Sequence, residues 1–203
     1  MSNYTLVPEP VYKGYPIQPL SKQRSRSDIL EGIFRVFSYA LANYSKILFI
    51  RFDLHYPKNG CDVAPDVAIN RFRDSFIKNR ARQGYRPLYT WCREQETSSV
   101  PDFHFVLVLD GQRTKSIYRH QEKARELWYR ILRLPLPPGR KGLLHPCDDE
   151  IPGLADNGIM IQSSDPNRNG ELDKAFRWAS CLARTEEKGN GGLNTREWGR
   201  SQV

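Results

Sequence analysis

The sequence predicts an α+β fold built around a central antiparallel sheet, and three features carry that prediction. Two apolar, β-branched runs at 86–94 and 103–109 are joined by a polar loop through Pro101, a hairpin pattern that excludes a purely parallel sheet. Helical periodicity recurs around these strands without the strict strand–helix alternation of a parallel α/β protein. The chain is 203 residues long, 39% hydrophobic and 11% aromatic, enough to bury one domain-sized core. The economical arrangement is about five strands with helices packed mainly on one face.

Residues 1–23 carry prolines at 8, 10, 16 and 19 and no sustained period, which predicts an extended, loosely docked arm ahead of a domain spanning 24–184. Asp28 with Glu31 three residues on has the form of a capping box. Ile29, Ile33, Phe34, Phe37 and Leu41 then share one face of a helix reaching about Asn43. KILFIRFDL at 46–54 reads as a strand, buried at its start and polar at its end. Asp66 is placed to cap a long helix through Ala81, whose outward face carries Arg71, Arg73, Lys78, Arg80 and Arg82. After the hairpin, residues 114–132 form a helix with Ile117, Ala124, Leu127, Trp128 and Ile131 as its core stripe. LPLPPGRKG is a loop, because proline removes donors from helix and strand alike. A short strand at 158–162 precedes a last helix from Gly170 to about Arg184, and the charged, glycine-rich residues 185–203 read as a mobile tail. Trp91, Trp128 and Trp178 belong to the core by their apolar neighbours, and His120 is expected in solvent.

Thirty-one Lys and Arg against 23 Asp and Glu leave a net charge of +8, and nucleic acid is the commonest polyanionic partner of such a domain. Four cysteines without a CxxC pair point to free thiols in a reducing compartment rather than a disulfide scaffold or zinc finger. No apolar run reaches the length of a membrane span and no signal peptide opens the chain, so a soluble, cytoplasmic protein with no membrane partner is expected.

The chemistry-bearing residues gather at strand ends. Asp102 and His104 share one sheet face by the period of two, and the hairpin brings Glu94 to them from the preceding strand. A carboxylate-rich set with one imidazole suits Mg²⁺ or Mn²⁺; solvated strand-end residues are the alternative. Asp53 and His55 border the same region. His145 and Cys147 have metal-ligand chemistry but no second pair in the sequence to complete a site.

Four stretches in order, ILFIRFDLHYP, LYTWCREQ, DFHFVLVLDG and ASCLARTEEKGNGGLNTREWGRSQ, together resemble the inovirus-type replication-protein-like family within the HUH endonuclease superfamily of rolling-circle initiators. That resemblance implies an HUH/RRM-like sheet and a partner in DNA, single-stranded or hairpin. It aligns Asp102-Phe103-His104 with the family's His-hydrophobic-His motif, and Cys181-Leu182-Ala183-Arg184 with its Tyr-x-x-Lys. In active members the histidines and an acid hold a divalent ion that polarises a phosphate, which the tyrosine attacks. By that alignment Glu94, Asp102 and His104 keep ligand positions for Mg²⁺ or Mn²⁺. Cys181 replaces the nucleophile, Arg184 keeps a phosphate-binding charge, and Arg177 joins the helix 71–82 cations as a phosphate contact.

Three functions follow as expectations. The first is a replication-initiator-like DNA-binding protein of a phage or mobile element with a degenerate nuclease site. The second is a metal-dependent single-strand nickase using another tyrosine, with Tyr118 as candidate. The third is a mobile-element regulator that binds a host protein.

Overall fold

A computed structural model describes residues 4–18, 24–95, 98–139, 142–147, 158–185 and 196–203. Its centre is strand β5. Before it come β1 (Leu6–Val7), β2 (Val11–Tyr12), β3 (Tyr15–Pro16), β4 (Ser25–Arg26) and helix α1 (Ser27–Asn43); β5 itself spans Lys46–His55. Helix α2 (Pro65–Arg82), strands β6 (Leu88–Glu94) and β7 (Asp102–Asp110) and helix α3 (Ile117–Leu132) follow. The chain continues through β8 (Leu144–His145), β9 (Gly158–Gln162), α4 (Arg168–Ser180), a 3₁₀ turn (Cys181–Ala183) and β10 (Trp198–Arg200).

The main sheet is antiparallel, in the order β10-β6-β7-β5, and the far edge of β5 is shared by β9 and β8. β9 pairs with residues 46–50 of β5, and β8 with Asp53 and Leu54. β5 is nearly continuous apolar sequence because both of its faces are covered. Ile47 and Phe49 face a core formed with α1 and α4. Leu48, Ile50, Phe52 and Leu54 face a second core formed with α2 and α3, where Phe52, Phe72, Phe76 and Phe105 pack ring against ring. The α+β antiparallel architecture is the expected one. The helices, however, divide two and two between the faces rather than gathering mainly on one, because both parities of β5 are hydrophobic and each needs a cover.

The ends of the chain are docked. β1 pairs with β4, and β2 with β3 forms a hairpin turning through Lys13 and Gly14, both at positive φ. Tyr15 stacks on Phe176 at 4.7 Å and Ile17 is buried. The described part of the arm is thus bound to the core rather than loosely extended. Residues 186–195, most of the expected tail, lie outside the described residues; beyond them β10 completes the sheet against β6.

Trp198 seats on α1 at Gly32, where an added Cβ would stand 2.6 Å from the indole. Asp28, expected to cap α1, instead accepts hydrogen bonds from Arg26 and from Trp198 Nε1, while Glu31 binds Lys13, Tyr12 and Arg35. Neither α1 nor α2 has a side-chain N-cap; α2 opens on Pro65, and Asp66 accepts from Arg93 Nη1 at 2.9 Å. α3 opens at Ile117 rather than 114, with the Ser116 side chain accepting from the Arg119 backbone N–H.

Candidate functional site: a histidine between two carboxylates

The registers of β5, β6 and β7 assemble the site. Asp53 lies opposite His104, His55 opposite Asp102, Cys92 opposite His104 and Glu94 opposite Asp102. All of these belong to the sheet face that carries Ile47, Phe49, Val106 and Cys92 toward α1 and α4. Glu94, Asp102 and His104 therefore do share a face, as the period of two requires.

Their side chains are committed to one another. His104 Nδ1 is 2.8 Å from Asp53 Oδ1, and His104 Nε2 is 2.8 Å from Glu94 Oε2. An imidazole facing carboxylates through both nitrogens carries both protons. Burial alone would lower the pKa of His104, but Asp53 and Glu94 outweigh it and raise it well above the usual 6.5. Burial would likewise raise Asp53; His104 and Arg51, the latter 3.8 Å away, reverse this and hold the carboxyl below its ordinary value. Asp102 is engaged separately, with Oδ1 at 2.9 Å from His55 Nδ1, and that contact raises the His55 pKa against its burial.

A divalent ion takes a lone pair from its histidine, so binding at His104 would have to displace a proton. In this arrangement Asp102 is turned to His55, and the acids that face His104 are Glu94 and Asp53. The ligand group that forms among the described residues is a different one: Asp53, His145 and Cys147, with one donor atom from each lying within 4.8 Å of the others. β8 brings it about by pairing His145 with Asp53. The sequence offered His145 and Cys147 without a partner because a two-residue edge strand has too short a period to be seen.

Cys181 ends α4 in the 3₁₀ turn, buried among α1, α4 and β6, with Arg184 Nη2 at 3.6 Å from its sulfur. Tyr118 is 50% exposed on α3. That helix packs on the opposite face of the sheet from His104, so Tyr118 is no substitute nucleophile for this site. The cations also divide. Arg71, Lys78 and Arg82 are exposed on α2, and Arg177 is exposed on α4, across the sheet. Arg73 is turned onto Asp74 and Asn70.

Arg80 is not a surface residue. It is 2% exposed, its Nη1 lies 3.1 Å from Nδ1 of the fully buried His120, and His120 Nε2 is 2.8 Å from Thr114 Oγ1. His120, expected in solvent, is held by burial and by Arg80 and Arg119 at a pKa of about 4. Both departures share a cause. On α2, Arg80 continues the buried stripe of Phe72 and Phe76 at i, i+4, i+8, and His120 lies on the buried face of α3 against it.

No helix of the described residues is long and apolar enough to cross a membrane. Compared with known proteins, residues 8–201 match the model of one family, the YagK/YfjJ C-terminal domain. No curated protein and no solved structure matches the chain.

Proposed function

The chain belongs to the YagK/YfjJ C-terminal domain family, and for this member we propose the role of a mobile-element DNA-binding protein, built like a replication initiator but with a nuclease-like site that no longer transfers strands. The observation that carries the reading is His104 pinned through both nitrogens by Asp53 and Glu94. Together with Arg51, those residues are two anions and two cations that neutralise one another. A pocket so balanced has no charge left to polarise a phosphate, whereas strand transfer depends on a preorganised cation at the developing charge.

Cys181 supports the same reading. It stands where the resemblance to the rolling-circle initiators aligns their tyrosine, buried and with a shorter reach. The net charge of +8 and the exposed Arg71, Lys78 and Arg82 on α2 support attraction to a phosphate backbone.

The test uses a labelled single-stranded or hairpin oligonucleotide. Binding is followed by fluorescence anisotropy across a salt series, and a parallel sample with Mn²⁺ is examined for a detergent-resistant protein–DNA adduct. The expected outcome is binding that weakens linearly on logarithmic axes as salt rises, with no adduct. Absence of binding at low salt removes the DNA reading and leaves a protein partner. An adduct in the unaltered protein removes the inactive-site reading.

A further inference from the structure

We infer that Asp53, His145 and Cys147 form a site for one divalent transition-metal ion of the zinc type. One carboxylate oxygen, one imidazole nitrogen and one sulfur lie within 4.8 Å of one another. Antiparallel pairing of β8 with β5 puts His145 directly across from Asp53. Two residues further on, Cys147 adopts left-handed backbone at φ 59, a conformation that non-glycine residues hold only where the surroundings enforce it.

Burial supports a built site rather than a surface coincidence. Asp53 is 4% exposed and Cys147 1% exposed. Asp53 Oδ1 is enclosed and faces His104 Nδ1 at 2.8 Å and Arg51 Nη2 at 3.8 Å.

The donor set chooses the ion. Mg²⁺, Mn²⁺ and Ca²⁺ take oxygen ligands, whereas a mixed sulfur, nitrogen and oxygen set suits zinc and its neighbours. Deprotonation of Cys147 supplies one negative charge to the ion, and Asp53 is shared between it and the His104 and Arg51 cations. Zinc bonds of about 2.0–2.3 Å set tetrahedral ligand atoms roughly 3.3–3.8 Å apart, so the cluster has to close by roughly an ångström around the ion. Three protein ligands leave the fourth position for water. The site shares Asp53 with the His104 cluster and takes its other two ligands, His145 and Cys147, from outside it, and it holds whether or not the protein binds DNA.

The experiment is a Co²⁺ titration of the reduced full chain without nucleic acid. One equivalent of Co²⁺ is expected to give a thiolate-to-cobalt charge-transfer band and the intense visible bands of a four-coordinate ion, both abolished by Zn²⁺. Cys147→Ser is expected to lose the charge-transfer band, and His145→Gln to weaken binding. Cys61→Ser and Cys92→Ser are expected to keep the band. X-ray absorption on the zinc-loaded unaltered protein provides a readout independent of any variant's folding, and one sulfur with nitrogen and oxygen neighbours is expected. No charge-transfer band, a band that survives Cys147→Ser, or a zinc shell without sulfur overturns the inference.

Discussion

Glu94 Oε2 sits 2.8 Å from His104 Nε2, while Asp53 holds the other ring nitrogen at the same distance. The ring is therefore a structural cation, and its titration is a stability statement. A histidine whose folded pKa lies above its unfolded value stabilises fully below about 6.5 and loses that contribution as pH rises through the higher value. Asp53, lowered from 3.8, contributes above that value and loses its part as pH falls through the lowered one.

Glu94→Gln keeps the shape and removes one charge. It is expected to cost about 2 kcal/mol at neutral pH, the scale of a hydrogen bond to a charged group. It should also bring the alkaline loss of stability to lower pH. Urea denaturation across a pH series checks both, and an unchanged alkaline limb would contradict the pairing.

His120 works in the opposite sense. Its folded pKa of about 4 lies below the unfolded 6.5, so its contribution is complete above 6.5 and drains away as pH falls toward 4. A depression of that size corresponds to at most about 3 kcal/mol. His120→Gln, which can still bond Thr114, is expected to flatten stability between those pH values. Thermal unfolding at pH 7 and pH 4.5, compared with the unaltered protein, measures it.

Gly32 and Trp198 form a testable pair, since a Cβ at 32 would meet the indole at 2.6 Å. Gly32→Ala is expected to destabilise by about 1–3 kcal/mol through overpacking. In a Trp198→Ala background the same change should instead stabilise by roughly 0.5–1 kcal/mol, the helix preference for alanine over glycine. A double-mutant cycle in denaturant reads the coupling directly.

For DNA, the exposed cations of α2 are expected to carry the salt dependence. Each of Arg71→Ala, Lys78→Ala and Arg82→Ala should flatten the logarithmic salt slope by roughly 0.7 if its phosphate contact is lost on a single strand. Arg177→Ala, on the other side of the sheet, should leave a short oligonucleotide's slope unchanged. Arg80→Ala should instead lower stability, because it strips a buried partner from His120. Anisotropy titrations and thermal melts separate the two effects.

The strands that matter were legible because they are long and apolar. β5 and the β6–β7 hairpin follow from runs of Ile, Leu, Phe and Val, and the hairpin register brings Glu94 beside Asp102 and His104. Sequence could not show that Asp53 competes for His104, since the pairing of β5 with β7 spans about fifty residues. β8 and β10 are two and three residues long, too short for any period. Asp28 and Glu31 have capping chemistry, but long-range partners claimed them: Trp198 for one, Lys13 and Tyr12 for the other. The spacing of Phe72, Phe76 and Arg80 marks a packed face, and the exposed cations around it, Arg71, Lys78 and Arg82, mask that signal.

β10 gives the sheet an order of assembly in time. β6 is complete at Glu94, yet the strand that covers its outer edge lies about a hundred residues later, at Trp198–Arg200. During synthesis the emerging chain can form the β6–β7 hairpin while one row of β6 backbone amides and carbonyls still faces water. Such an open edge is a template for a neighbouring nascent chain. A stop codon ahead of Trp198 would leave the His104 cluster encoded in full but expose that adhesive border permanently, so β10 guards against aggregation as much as it completes the sheet.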